Sequence, residues 1–317
     1  MIRFTAIRLV EIAAMVVLMS FVIYALIGLM PGDPIDLMMG ADPHLNSADL
    51  ARLKTLYGVD RPLFERYLAW AQAALHGNFG YSRLFSAPVV QTLLPRLGNS
   101  LILLGSSFVI GFALSLGLGI AAARRPRTRF DAAVNLACFA GVSMPTFWLA
   151  LILILIFAQG LGWLPAGGVG GAGNSGFGDW LRHLVLPVAT LTIANLGGYT
   201  RYVRAAMRDA LGQDHIRTAR AKGARETRVI WHHALRGALV PIVTILALSF
   251  GSLVSGALVT EEMFAYPGMG KLIFDAVMGN DYNLALAALL LATAVTMLAN
   301  LAADLAYGWL DPRVSYR

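Results

Sequence analysis

DHIRTARAKGARETRVIWHHALRGALVP, residues 214–241, is a strongly basic stretch set between two long runs without any charge. Gly223 sits at its centre, surrounded by Arg217, Arg220, Lys222, Arg225 and Arg228. A glycine there lets two short helices meet, and the positive charge places the segment on the cytoplasmic side of a membrane. Two apolar stripes, Ile216/Ala219 and Val229/Ile230/Ala234, run along those helices. The segment reads as an ordered handle, about 15 Å long for a ten-residue helix, that protrudes below a bilayer and docks in a partner's groove. The bland alternative is a solvated basic loop held by lipid phosphates.

The runs on either side are part of a pattern that covers the chain. Only 14% of the 317 residues are charged, 57% are hydrophobic, and mean hydropathy is +0.66. A soluble domain carries charge on about a quarter of its residues. Residues 12–32, 97–123, 132–178, 183–200, 237–260 and 282–303 contain no Asp, Glu, Lys or Arg. Crossing a bilayer takes about 20 apolar residues. These runs predict an all-α membrane protein with six transmembrane helices, near 9–30, 98–123, 133–160, 184–204, 237–260 and 284–308. The first is too long for the core of a signal peptide and has no cleavage site before Pro31.

Charge sets the orientation. Residues 1–8, 124–130, 201–236 and 309–317 hold 17 of the 25 Lys and Arg, with Arg124-Arg125-Pro126-Arg127-Thr128-Arg129 the clearest short loop. Both termini are therefore expected in the cytoplasm. The net charge of +7 follows from this topology, so no nucleic-acid partner is invoked. The parts are an N-terminal segment and span (1–30), an outer helical segment (31–97), a five-span core (98–308) with a cytoplasmic loop at 205–236 and an outer loop at 261–283, and a cytoplasmic tail (309–317). Cys138, the lone cysteine, is expected to fill core space.

Several motifs fail on inspection. Gly168, Gly170 and Gly173 form a G-x-G-x-x-G without the strand and helix that dinucleotide binding needs, so a flexible loop is expected. Phe264 to Lys271 resembles part of a phosphate loop, but Ala265 and Leu272 stand where Gly and Ser or Thr are required. Nucleotide energy would have to come from another chain. The Pro267-Gly268 turn and the apolar Leu272, Ile273 and Ala276 suggest that this loop dips back towards the bundle. In the outer segment, Phe64, Tyr67, Leu68 and Ala71 share helical spacing and predict a small cap, either packed on the bundle or docking an external protein. Gly111, Ser115, Gly119 and Ala123 make a flat face for close helix approach, expected within the chain; Ala247, Gly251 and Ser255 repeat it.

Enzyme chemistry finds no support. The only carboxylates within the expected spans are Glu11 and Asp304, both near helix ends, with Glu11 paired to Arg8. All six histidines fall in loops or at span edges, so neither a metal site nor any cofactor is expected. Mid-span polar groups such as Asn195, Thr190, Thr192, Ser249, Ser252 and Asn300 either line a weakly polar passage or satisfy helix backbones, and both readings stand; Asn195, Ser249, Ser252 and Ser255 are the residues expected along a substrate path.

Taken in order, these residues resemble the permease subunits of binding-protein-dependent ABC importers, in the dipeptide, oligopeptide and nickel branch, over nearly the whole chain. The family's E-A-A, three residues, Gly, nine residues, I-x-L-P signature is met at Gly223 and Leu235, with Arg217-Thr218-Ala219 and Arg236 departing from it. The peptide-branch pattern R-T-A-R-A-K-G then H-A-L-R-x-A-L-x-P reads here as Arg217 to Gly223 and His233 to Pro241. Pro31-Gly32-Asp33-Pro34, Ser143 to Leu149, Leu161-Gly162-Trp163-Leu164-Pro165, Phe264 to Gly270 and Asp311-Pro312-Arg313 match as well. The resemblance implies a type I importer half-channel with a second permease, two cytoplasmic ATPases, an extracytoplasmic solute-binding protein and surrounding membrane lipid. It also implies that Asp214, Arg217, Thr218, Ala219, Arg220, Ala221, Lys222, Gly223, Ala224 and Arg225 form the ATPase-coupling helix. Glu261, Phe264, Tyr266, Pro267, Gly268 and Gly270 would form an outer gate loop. Peptides are the expected cargo, with nickel chelates or another small solute as the alternative. From a different class, a membrane scaffold or receptor that recruits a cytoplasmic partner also fits the basic loop.

Overall fold

The computed structural model of the chain describes residues 2–29, 61–170, 176–239, 241–243 and 257–310. The readings at residues 31–34 and 311–313, and at Gly173, Ala247, Ser249, Gly251, Ser252 and Ser255, lie outside the described residues.

Charge-free runs become helices because an apolar backbone must satisfy its own N–H and C=O groups. In order these are α1 (Ile2–Gly28), α2 (Leu63–Leu75), the short strands β1 (Tyr81–Ser82) and β2 (Ala87–Pro88), α3 (Val89–Arg124), α4 (Arg129–Ser143) and α5 (Thr146–Leu153). α5 continues into a π-helical stretch, Ile154–Gly160. Then come α6 (Phe177–Leu211), α7 (Asp214–Ala221), α8 (Glu226–Arg228) leading into a second π-helical stretch (Val229–Ala234), α9 (Leu258–Met263), α10 (Met269–Met278) and α11 (Tyr282–Leu310). β1 and β2 pair antiparallel in a small hairpin, with Tyr81 opposite Pro88.

Among the described residues, three helices are by length and composition sufficient to cross a membrane: Phe4–Gly28 in α1, α3, and Tyr282–Leu305 in α11. The expected third span, one helix over 133–160, is not formed. It breaks between α4 and α5 with a bend of 104°. Pro145 has no N–H to continue the ladder, and the residue before a proline is driven out of the helical region; Met144 sits at φ −84, ψ 128. Each leg has 15 residues, about 22 Å, so neither crosses 30 Å of hydrocarbon alone. The expected fourth span lies inside α6, where His183, Asn195 and Gly197-Gly198 dilute its hydropathy. It need not be lipophilic all round, because its neighbours enclose it.

That enclosure is the centre of the fold. On α3, Gly111 faces the Thr192 side chain, Ser115 Oγ donates to the Leu196 carbonyl at 3.3 Å, and a Cβ on Gly119 would lie 2.7 Å from Val203 Cβ. The small-residue face is thus spent inside the chain, as expected. α4 meets the other side of α6 just as closely, since a Cβ on Gly197 would sit 2.2 Å from the Cys138 carbonyl oxygen. α1 lies against α11, tied near their ends by Arg8 to Asp304 at 3.4 Å, while Arg8 also pairs with Glu11 on its own helix at 3.1 Å.

The Gly-rich segment expected to be a flexible loop is partly pinned. Gly168 N donates to the Phe264 carbonyl at 2.8 Å, and a Cβ on Gly167 would fall 2.3 Å from that oxygen. The glycines serve a close backbone approach here.

Candidate functional site

The basic stretch folds as the two short helices its composition predicts. α7 is closed off by Gly223, two residues past its last helical residue, whose φ is +77. The Gly223 N–H bonds to the Arg220 carbonyl at 2.9 Å and the Ala224 N–H to the Ala219 carbonyl at 3.1 Å. This pair of bonds is a Schellman closure, in which a left-handed residue satisfies the last helix carbonyls. Arg220 then reaches across the turn to Glu226 at 2.7 Å. Both side chains are about half exposed, so that pair braces the turn for less than about 1 kcal/mol.

The apolar stripes do not form a docking face. Ile216, Val229, Ile230 and Ala234 are buried in a cluster with Ile120 and Ala123 of α3 and Val203, Met207 and Ala210 of α6. Burying an isoleucine contributes roughly 1.5–3 kcal/mol, enough that apolar groups go to the bundle before a partner can use them. What the hairpin offers outward is polar: Arg217, Thr218, Arg220, Ala221, Lys222 and Arg225 are exposed, with Asp214 at the start of α7 paired to Arg217 at 3.3 Å. Trp231 is the exposed aromatic beside them. The rim is therefore fastened to α3 and α6 through packed side chains.

A second tie stiffens the same end. Asp131 is buried on α4 and takes Arg204 of α6 in a two-pronged ion pair, Nε at 2.6 Å and Nη2 at 2.8 Å. Its oxygens also accept from the Arg127 N–H and Asn135, while Thr128 caps α4 by accepting the Asp131 N–H at 3.3 Å. The Arg204 hydrogen bond is the main reason the Asp131 carboxyl is held down at about 2. The sign follows directly. A depressed folded value gives stability that is complete above the ordinary carboxylate range and is lost as pH falls from about 4 towards 2. Thermal melting of the purified complex should drop across that window. Asp131→Asn should remove most of the slope and Glu226→Gln little of it; equal slopes in both would assign the acid sensitivity elsewhere.

At the far end, all six residues expected in the outer loop converge in one knot. Glu261 is fully buried on α9. Its carboxylate accepts from Ser100 Oγ at 2.5 Å, from the Lys271 N–H at 2.9 Å and from the Gly270 N–H. Burial pushes its pKa up, against these hydrogen bonds and the charge of Arg96. Gly268 is required beside it, because a Cβ there would sit 2.2 Å from the carboxylate. Phe264 and Tyr266 are buried, and burial, with the Glu261 charge, raises the Tyr266 hydroxyl to about 12. Tyr266 donates to the Asn99 carbonyl at 3.1 Å, Asn99 donates to the Pro267 carbonyl at 2.9 Å, and the Met269 N–H reaches Ser100 Oγ at 2.7 Å. Gly270 lies against the Leu258 backbone, where a Cβ would be 2.6 Å from Leu258 Cα.

Asn99 and Ser100 were invisible to sequence reasoning, as was the second clasp of the same region. Asp281, buried, accepts from Ser82 Oγ at 2.6 Å, Leu84 N at 3.0 Å and Leu284 N at 3.3 Å. It both caps α11 and bolts the β-hairpin to it. An Asp before a long apolar run is a readable capping signal; its partner 199 residues away is not.

The polar residues considered for a substrate path divide. Asn195 donates to the Leu191 carbonyl at 2.8 Å, Thr190 to Leu186 at 2.9 Å and Thr192 to Ser107 at 3.3 Å. Each satisfies a helix backbone. Ser249, Ser252 and Ser255 lie outside the described residues.

Comparison with known proteins is consistent over the full length. The profile for "Binding-protein-dependent transport system inner membrane component" matches residues 115–316, and that for the N-terminal part of such membrane components matches 1–103. The oligopeptide transport system permease protein AppB of Bacillus subtilis is 39% identical over 289 residues, covering 90% of each chain. The di/tripeptide transport system permease protein DppB of Pseudomonas aeruginosa is 35% identical, covering 93% of each. The glutathione transport system permease protein GsiC of Escherichia coli K12 is 32% identical over the whole of both. Among solved structures, a chain of the inward-facing MetNI methionine ABC transporter superposes with a TM-score of 0.56 at 18% identity. That match covers 70% of this chain and 97% of the other.

Proposed function

This chain belongs to the inner-membrane components of binding-protein-dependent transport systems, and from that premise we propose that it carries peptides through the membrane. It is a non-catalytic permease subunit of an ABC importer: hydrolysis of ATP belongs to partner chains. The peptide assignment rests on relatives that are named as oligopeptide, di/tripeptide and glutathione permeases.

The proposed arrangement has six crossings, with the bent α4–α5 pair counted as one and residues 237–260 as another. Both termini lie in the cytoplasm, a second similar permease completes the path, and two ATPases grip the rims around Gly223. An extracytoplasmic solute-binding protein delivers cargo to the side of the outer loop, residues 261–283. The observation that carries the mechanical part is the burial of Ile216, Val229, Ile230 and Ala234 in one core with α3 and α6. A hairpin fastened in this way passes an ATPase movement to the spanning helices as a displacement, because packed cores deform little.

The test is reconstitution. Proteoliposomes holding the permease pair, the ATPases and the binding protein should accumulate a labelled tripeptide only with ATP inside the compartment that faces the ATPases. Equal accumulation without ATP, or leakage through the purified chain alone, would overturn the proposal.

A further inference from the structure

We infer that α2 is an interfacial helix whose outward apolar face is seated in the lipid acyl chains of the leaflet opposite the N-terminus. The inference rests on the membrane reading of α1 and not on any cargo. α2 lies across the second half of α1. Leu63 touches Gly28, where a Cβ would be 3.4 Å from Leu63 Cδ1. Tyr67 OH meets Ser20 Oγ at 2.8 Å. The rings of Phe64 and Tyr67 stand edge-on to Phe21 at 6.3 and 5.1 Å, and Trp70 lies 5.9 Å from Tyr24. Phe21 is seven residues inside Gly28, about 10 Å along the helix axis.

At about 100° per residue the side chains of α2 fall into three sectors. Leu63, Tyr67, Trp70, Ala71 and Ala74 form the sector turned to the protein. Phe64, Leu68 and Leu75 lie within about 40° of one another and are 59%, 50% and 87% exposed. Glu65, Arg66 and Gln72 occupy the remaining side. Apolar, packed and polar sectors in that order are what a helix lying in an interface needs.

The depth decides between lipid and a water-soluble partner. The exposed apolar sector adjoins the side on which Phe64 reaches down to Phe21, and α1 itself exposes Val17, Leu18 and Leu26 over the same interval. A soluble protein cannot follow a face that descends along a spanning helix, whereas acyl chains already fill that space.

Site-directed spin labels test this in the assembled complex, placed in phosphatidylcholine nanodiscs on a Cys138→Ala background. Labels at Leu68→Cys and Leu75→Cys should show several-fold higher accessibility to oxygen relative to a water-soluble nickel chelate than a label at Gln72→Cys. The same ratio at all three positions, or Leu68 and Leu75 labels that nickel relaxes fully until the soluble binding protein is added, would overturn it. The measurement uses neither ATP nor peptide, so its outcome is independent of whether the transport assignment holds.

Discussion

Replacing Gly223 with proline is expected to abolish ATP-driven uptake while the assembled complex stays in the membrane and its ATPases remain active. Two features of the turn require this. Proline fixes φ near −65°, and Gly223 sits at +77. Its nitrogen carries no hydrogen, so the bond to the Arg220 carbonyl is lost. The helix stop then fails, and the rim from Arg217 to Arg225 loses its shape, while the buried anchor at Ile216, Val229 and Ile230 keeps the hairpin on the bundle. Gly223→Ala is the graded control. A Cβ there meets nothing within 4 Å, so only the left-handed backbone is penalised, by about 1–2 kcal/mol, and uptake should fall only modestly. Paired measurements of ATP hydrolysis and peptide uptake separate the outcomes. Unimpaired uptake in the proline variant would remove the turn from the coupling path, and loss of the whole complex from the membrane would make Gly223 a folding residue.

How much of this was legible depends on sequence distance. The basic hairpin was readable because glycine, cap and charge all lie within a dozen residues. So was the flat face of α3, since Gly111, Ser115 and Gly119 recur at helical spacing on one helix. The break at Pro145 was hidden by the run that contains it: a 47-residue stretch without charge reads as span, and hydropathy does not register a proline. The fate of the apolar stripes was misread for a related reason. Periodicity tells which face is apolar but not whether a partner or the chain itself covers it. The pairs Ser100–Glu261, Ser82–Asp281 and Arg204–Asp131 span 161, 199 and 73 residues. No local pattern predicts them, because tertiary packing alone brings their ends together.

Those long-range pairs lead to the second large effect, at the outer knot. Glu261→Ala should destabilise the permease by about 3–5 kcal/mol, since it leaves the Lys271 and Gly270 N–H groups and the Ser100 hydroxyl without their acceptor, at about 1–3 kcal/mol for each unsatisfied group, and opens a cavity. Gly268→Ala should also be harmful for a steric reason: its methyl would lie 2.2 Å from the Glu261 carboxylate, which its hydrogen bonds from Ser100 Oγ and the Lys271 N–H hold in place. The two causes share one volume, so the double variant is the informative one. With the carboxylate gone, the new methyl has room, and Glu261→Ala/Gly268→Ala should melt no lower than Glu261→Ala alone. Such a coupling exceeds the few tenths of a kcal/mol expected of independent sites. Melting curves of the four purified proteins decide it. Additive losses, or a Glu261→Ala protein that melts with the parent, would show that the loop is held to α3 by something other than this carboxylate.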